Sequence, residues 1–312
     1  IGLMTPEEFT GGRLHDAALG AVRILQESRH QFDVIDSESD FSPYRVLVLP
    51  DEIPVNDSLA EKLSAFIAAG GTLLASYHSG LAPDERSFNL PELGVALIAE
   101  TPLYPDFIVP GKLSEGLYNT GHVMYLRGME VSPIAEADVL SWVIQPYFNR
   151  TWEHFCSHRH TPPAAPADYP GAVRNGNCIY FPHPVFTTYD QSAPLWCKKL
   201  VVNALDLLLP QPVLRAGGPS TALFTVNTQP AQRRLVVHVL HYVPERRGKS
   251  FDTIEDIIPI FDVPVSVRVK GGVSSVYLAP QGQELAFAQV DGRVEFMIPR
   301  VDGHQMAVLQ MA

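Results

Sequence analysis

The chain has 312 residues, of which 46% are hydrophobic, and its 23 Lys and Arg residues against 34 Asp and Glu residues give a net charge of −11. This length suits two domains, and the acidic balance without a basic stripe argues against nucleic acid and anionic membranes as partners. No apolar run approaches the roughly 20 residues that span a bilayer. The three cysteines, Cys156, Cys178 and Cys197, fit neither a disulfide framework nor a zinc spacing. We therefore expect a reducing compartment, the cytoplasm.

The first 80 residues contain continuous apolar runs of strand length. Three of them cover residues 32–35, 46–49 and 72–77. Strands that are buried on both faces of a parallel sheet read in this way. Residues 1–4 read as part of a further strand, and because a natural domain seldom begins inside its own sheet, we expect further sequence upstream.

Two amphipathic helices separate these runs. The first covers about residues 16–28, and the second begins near Ser58, which with Glu61 fits a capping box, and ends at Gly70-Gly71. Apolar residues at spacings of three and four form the stripe of the first helix: Leu14, Ala18, Val22 and Leu25. This alternation predicts an α/β domain built on a parallel sheet.

The remaining chain changes character at about residue 213. Before it, prolines and glycines are frequent, and a helix over residues 192–209 ends at Pro210. After it, short alternating runs without helical period predict strands, and Asp291-Gly292 suits a tight hairpin. Strand candidates in the irregular middle are residues 107–109, 122–127, 139–144 and 178–181. We predict an α/β domain over residues 1–212 and a small antiparallel β-sandwich over residues 213–312.

The turn after the third apolar run is the first candidate for chemistry. In amidotransferase-like α/β folds, a sharp turn at this place exposes a nucleophilic cysteine, but Tyr77 and His78 stand here instead. Ser76 or Ser79 could act with His78 as base in a stand-alone enzyme, yet no G-x-S-x-G elbow is present. We favour the interpretation that these residues finish a buried strand, and we assign no catalytic residue. No Walker loop or G-x-G-x-x-G motif follows an early strand, so we predict no cofactor.

The second candidate is the segment 145–160, QPYFNRTWEHFCSHRH. Aromatic rings together with Arg and His are typical of sugar or carboxylate sites, because rings stack on apolar faces while guanidinium and imidazole groups bond polar edges. His183, held between two prolines, could line the same pocket or form only a turn. The candidate binding residues are Tyr147, Arg150, Trp152, His154, His158, His160 and His183.

The same segment also contains an alternating set of metal-ligand residues. On an extended strand these four would share one face and could hold zinc: His154, Cys156, His158 and His160. The cluster has no second half at zinc-site spacing, so we assign no metal ligand. A loop that faces solvent or a partner is the favoured interpretation.

The runs DFSPYRVLVLPDE and AAGGTLLASYHSG, separated by a helix, resemble the β-galactosidase trimerisation domain. The resemblance implies a non-catalytic relative of the class I glutamine amidotransferases with a flavodoxin-like sheet. In such glycoside hydrolases this domain lies between a catalytic (β/α)8 barrel and a small C-terminal β domain. The catalytic carboxylates would then belong to a barrel that this chain lacks.

The resemblance therefore implies the non-catalytic C-terminal portion of a multidomain glycoside hydrolase. We expect a homo-oligomer that shapes the rim of the active site, with carbohydrate bound through the missing barrel. Two alternatives stay open: a stand-alone amidotransferase-like enzyme or hydrolase, and a carbohydrate- or metal-binding module centred on residues 147–160.

Overall fold

The computed structural model describes residues 1–13, 15–134 and 136–312. They form two compact units, one of Ile1–Ile24 with Phe32–Pro210 and one of Leu25–Gln31 with Gln211–Ala312. Leu14, expected on the stripe of the first helix, lies outside the described residues. Within the described ranges, no helix has both the length and the apolar character that crossing a membrane requires.

Strands and helices are numbered in chain order. Up to residue 210 they are β1 Gly2–Met4, α1 Asp16–Glu27, β2 Asp33–Ile35, β3 Val46–Leu49, α2 Asp57–Ala68, β4 Thr72–Ser76, β5 Val95–Glu100, β6 Asp106–Val109, β7 His122–Met124, β8 Met129–Pro133, β9 Asp138–Pro146, β10 Pro163–Asn175, β11 Cys178–Phe181, α3 Val185–Ser192 and α4 Leu195–Leu208.

The first unit is α/β and is built on a nine-stranded mixed sheet in the order β2-β1-β3-β4-β11-β10-β9-β6-β7. The strands from β2 to β11 in this order run parallel. From β11 to β7 each neighbouring pair is antiparallel. The expectation of a parallel sheet therefore holds for only part of it, because β11 follows β10 through a short hairpin turn that can join antiparallel strands alone. Strands β5 and β8 form a separate antiparallel pair.

The parallel strands form the core of this unit. All four residues of β3 are buried, as the continuous apolar run predicts. On α2, Leu59, Leu63 and Phe66 are buried and join the same apolar cluster as β3 and β4. The predicted capping box at Ser58 is wrong, because the N-cap is Asn56, whose Oδ1 accepts a hydrogen bond from Leu59 N at 2.9 Å.

Several elements before residue 210 differ from the sequence prediction. The helix expected over residues 192–209 is α4, which begins only at Leu195, whereas α3, β5 and β8 have no counterpart in the prediction. Ala193 in a left-handed conformation (φ 44°) and Pro194 separate α3 from α4. Strand β10 was not predicted, since prolines usually interrupt a strand ladder. Its pairing with β9 indeed shifts register around Pro166 and Pro170.

From residue 211 onwards, the second unit consists of strands apart from one short turn of helix at Pro230–Gln232. The strands are β12 Leu214–Ala216, β13 Ala222–Gln229, β14 Arg234–His241, β15 Glu245–Arg246, β16 Asp252–Thr253, β17 Ile260–Arg268, β18 Val273–Ala279, β19 Phe287–Val290, β20 Arg293–Val301 and β21 His304–Met311.

Two four-stranded antiparallel sheets make up most of this unit. Their orders are β12-β17-β20-β19 and β13-β14-β21-β18, and buried side chains from both sheets form one apolar cluster. Asp291 (φ 49°) and Gly292 (φ 73°) form the two-residue turn between β19 and β20. Positive φ at both positions is what the type I′ hairpin requires, and it is the reason Asp-Gly is favoured there.

Candidate functional site

The turn after β4 has the bent backbone of a nucleophile turn but carries a tyrosine at its apex. Tyr77 adopts φ 52°, a left-handed conformation that costs a non-glycine residue about 1–3 kcal/mol. Tyr77 N donates to Phe181 O at 2.7 Å, and the Tyr180 hydroxyl donates to Tyr77 O. These bonds hold the turn on the neighbouring strand β11.

The serines beside this turn are buried and already hydrogen-bonded. Ser76 Oγ donates to Asp51 Oδ1 at 2.6 Å and accepts from Asp51 N at 2.9 Å, and Ser79 Oγ accepts from Ile53 N at 3.0 Å. His78 stacks on the Tyr77 ring, with 4.0 Å between ring centroids. Among the described residues, neither hydroxyl has a histidine as hydrogen-bond partner, so the geometry forms no nucleophile–base pair.

Asp51 is the central group of this region, and the sequence analysis did not identify it. Its buried carboxylate accepts hydrogen bonds from Thr187 N and Thr187 Oγ1, both at 2.7 Å, and from Phe186 N at 3.4 Å. The N-cap residue of α3, Pro184, supplies no side-chain bond, so Asp51 caps this helix from the end of β3. Burial raises the pKa of Asp51 to about 6, although its hydrogen bonds act in the opposite direction.

A groove of about 820 Å³ lies beside β6, β7 and the loop between β9 and β10. Its volume is within the range of about 300–1,000 Å³ that is typical of small-molecule sites. Ten residues line it: Tyr104, Pro105, Tyr125, Arg127, Asn149, Arg150, Thr151, Trp152, Phe155 and Arg159. We call it the arginine groove.

Side-chain hydrogen bonds fix the loop that carries half of the arginine groove. Asn149 Oδ1 accepts from Tyr104 N at 2.8 Å, and Asn149 Nδ2 donates to Pro102 O at 2.9 Å. The Tyr125 hydroxyl is 3.1 Å from His160 Nδ1. Three separate stretches of chain are thus joined around one concave surface.

The charge of the groove comes from Arg127, Arg150 and Arg159, and none of the described residues that line it is acidic. The Arg127 guanidinium carbon lies 4.2 Å from the ring centre of Tyr104, and an Nη atom is 3.0 Å from Glu100. The Arg159 guanidinium lies 4.8 Å from the ring centre of Tyr125. Such stacking orders a guanidinium and leaves its edge free to donate hydrogen bonds.

Two of the predicted binding residues, Arg150 and Trp152, line the groove, and Trp152 is 85% exposed. Tyr147 is exposed but is not part of the lining. The three histidines of the segment pack on other rings: His154 on Phe148, His158 on His160, and His160 on Phe107 and Tyr125.

The premise of the alternating metal set is wrong, because residues 151–160 are not in a strand. Thr151 N donates to His154 O at 2.8 Å and His154 N donates to Thr151 Oγ1 at 3.1 Å, which folds the segment into a turn. The described part of the chain holds no group of three or more His, Cys, Asp or Glu side chains arranged for a metal ion.

His183 does not line the groove and is fully buried. Its Nε2 atom is 2.9 Å from Asp106 Oδ1, and both side chains have no exposed area. The ring packs against Gly128, where a Cβ atom would come within 2.6 Å of it. Asp106 directly follows Pro105 of the groove lining.

Sequence reasoning missed Tyr104, Tyr125 and Arg127. They come from the irregular middle of the chain, and only the pairing of β6 with both β7 and β9 brings them beside residues 149–159. Tyr125 and Arg127 lie near the end of the predicted strand over residues 122–127. This position was the one sequence signal that could have identified them.

Comparisons with known proteins find similarity to parts of glycosidases. The family model described as β-galactosidase trimerisation domain matches residues 23–94. β-Galactosidase GanA from Bacillus subtilis is 45% identical over 49 residues, which are 16% of this chain and 7% of that protein.

Two solved structures are similar over nearly the whole chain. α-L-Fucosidase isoenzyme 2 from Paenibacillus thiaminolyticus has a TM-score of 0.93 and 34% identity, and the likeness covers 100% of this chain and 48% of that one. A β-galactosidase from Bacillus circulans sp. alkalophilus has a TM-score of 0.62 and 15% identity over 99% of this chain and 41% of that one, which shows a shared fold alone. The chain thus spans about half the length of the fucosidase.

Proposed function

We propose that this chain, whose residues 23–94 match the β-galactosidase trimerisation domain, is the non-catalytic C-terminal portion of a glycoside hydrolase. In this role it assembles into a homo-oligomer and shapes the rim of the active site. The observation that carries the proposal is the likeness to the fucosidase, which extends over the entire chain but over only 48% of the fucosidase. On this proposal, carbohydrate is hydrolysed in a catalytic domain of the full-length protein. That domain corresponds to the part of the fucosidase that this chain does not match.

The hydrogen bonds of Ser76 and Ser79 support a non-catalytic role for this chain. A hydrolytic nucleophile must be accessible and next to a base, whereas Ser76 and Ser79 are buried and bonded to Asp51 and Ile53 N. The turn at Tyr77 then serves to join β4 to β11.

We also propose that the parallel part of the sheet is flavodoxin-like, as in the amidotransferases, and that the domain boundary lies near residue 212. In chain order, the five parallel strands give the sequence 2-1-3-4-5 across the sheet, which is the flavodoxin order. A fold of this type is a scaffold whose function depends on the groups at its strand ends.

Sedimentation velocity and hydrolysis assays on the 312-residue chain test the proposal. We expect self-association over the concentrations used and no release of nitrophenol from nitrophenyl α-L-fucoside or nitrophenyl β-D-galactoside. A monomer at every concentration would contradict the assembly role. Hydrolysis that disappears in Ser76→Ala or Ser79→Ala would contradict the non-catalytic role.

The rim role is tested in the full-length parent protein. We expect Trp152→Ala to raise KM about fivefold with little change in kcat, because an exposed indole that stacks on a sugar contributes about 1 kcal/mol. Tyr118→Ala is the matched control, since Tyr118 is 84% exposed and does not line the groove. An unchanged KM for Trp152→Ala would contradict the rim role.

A further inference from the structure

The arginine groove has three cationic side chains and no acidic side chain in its lining. From this we infer that it binds a saccharide that carries a negatively charged group, either a sulfate ester or a carboxylate. The charge selectivity follows from the groove alone, and the saccharide part rests on the proposed function.

The local charge of the groove is opposite to that of the whole chain, whose net charge is −11. Arg127 forms an ion pair with Glu100, with 3.0 Å between an Nη atom and the carboxylate. Among the described residues, Arg150 and Arg159 form no ion pair. Guanidinium groups in a concave surface without counter-charges attract a planar or tetrahedral oxyanion, which they can bind with two parallel hydrogen bonds.

Aromatic side chains add the second element of the site. Trp152 is 85% exposed, Phe155 is 66% exposed and Tyr104 is 38% exposed, and all three line the groove. Large rings left open to solvent beside cations suit a ligand with both an apolar face and an anionic edge. A pyranose ring with a sulfate or carboxylate substituent has this combination.

The groove is also ordered before any ligand enters. The Arg127 and Arg159 guanidinium groups are stacked on Tyr104 and Tyr125, and Asn149 ties the loop to the backbone at Tyr104. Prior ordering lowers the entropy cost of binding, because fewer side chains must be immobilised when the ligand binds.

An acidic protein segment could neutralise the same arginines. The saccharide is favoured, because a groove of about 820 Å³ with exposed rings suits a small ring-shaped ligand better than a flat protein surface. The experiment below treats the protein segment as an opposing outcome.

Isothermal titration calorimetry of the 312-residue chain with four probes tests the inference. The probes are methyl β-D-galactoside, its 6-sulfate, methyl galacturonoside and inorganic sulfate. We expect at least one of the two charged sugars to bind about tenfold more tightly than the neutral sugar, with the preference decreasing as salt increases. The comparison of sulfate ester with carboxylate identifies which anion the groove prefers.

Variants locate the site. We expect Arg150→Gln and Arg159→Gln each to weaken binding of the charged sugar about fivefold or more, Arg150→Lys to weaken it less, and Trp152→Ala to weaken the sugars but not inorganic sulfate. Arg86→Gln is the control, since Arg86 is exposed and outside the groove. All these side chains are exposed, so urea unfolding of the variants should match that of the parent chain.

Four results would overturn the inference: equal affinity for neutral and charged sugars, inorganic sulfate binding as tightly as the sulfated sugar, no binding of any probe, or arginine variants that change only sedimentation. The last would identify a protein contact. A monomer that prefers charged sugars would contradict the proposed assembly but not this inference. An oligomer without charge preference would contradict this inference but not the proposed assembly.

Discussion

Two regions of the first unit use polar side chains in opposite ways. At the ends of β3 and β4, Asp51 and Ser76 are fully buried and bond to each other, and Asp51 also bonds to the start of α3. In the arginine groove, Arg150 and Trp152 are exposed and open to a ligand. A buried polar group must find its partners inside the protein, whereas an exposed one is free to find them outside.

Together with the proposed role of the groove, this difference makes position in the fold a poor guide to function here. The turn after β4 lies where α/β folds often carry chemistry, yet its hydrogen bonds stabilise the structure. The groove lies on the antiparallel extension of the sheet, where the fold alone predicts nothing. Substitutions in the first region should therefore change stability, and substitutions in the second should change binding.

The largest effect is expected from Asp51→Ala. This change removes the acceptor for Ser76 Oγ and Thr187 N and leaves these donors buried, and it removes the cap of α3. We expect the free energy of unfolding to fall by about 3–5 kcal/mol in urea denaturation. Asp84→Ala is the control, because Asp84 is exposed and should cost no more than about 0.5 kcal/mol. A loss below about 1 kcal/mol for Asp51→Ala would contradict the structural role.

The second effect is a dependence of stability on pH. The folded-state pKa of Asp51, about 6, lies above its ordinary value of 3.8, so the folded state holds the proton more tightly than the unfolded state. Its contribution to stability is full below pH about 4 and is lost as the pH rises through about 6, by about 3 kcal/mol in total. Asp51→Asn cannot titrate, so its unfolding free energy should lack this part of the slope. Parallel profiles for the two proteins would show that Asp51 does not titrate in this range.

The smallest effect on stability is expected in the groove. Asn149→Ala removes the acceptor of the Tyr104 amide, so we expect hydrogen exchange at this amide to accelerate about tenfold while global unfolding changes by no more than about 0.5 kcal/mol. Asn89→Ala, which removes side-chain bonds to Val55 O and Asp57, is the matched control and should leave exchange at Tyr104 unchanged. A large global loss would remove the distinction between the two regions.

Local patterns predicted most of the elements that are simple in sequence. The apolar runs predict β3 and β11 with the observed bounds, and Asp291-Gly292 predicts the hairpin turn. Strand burial and the positive φ of this turn each depend on a few adjacent residues, so the sequence shows them locally. Strand β10 was missed because its prolines are tolerated only through register shifts against β9. Such compensation comes from a partner strand and leaves no local signal.

The candidate sites show the same limit. Composition identified Arg150 and Trp152, since both belong to one unusual segment. It could not identify Tyr104 or Asp51, whose environments depend on strand pairing and on a helix that begins more than a hundred residues later. The alternation of His154 with other metal-ligand residues led to a wrong prediction of a shared face. Side chains two residues apart share a face only in a strand.

None of the ten residues that line the arginine groove falls within residues 23–94, the segment that matches the trimerisation family. The residues that line the groove can therefore change in evolution without any change in the segment that matches the family. Two proteins with equally good matches over that segment can therefore differ in the residues that line this groove. If the inferred role holds, ligand preference across such relatives should be compared at positions 104–159, where the three arginines and the exposed rings of the groove lie.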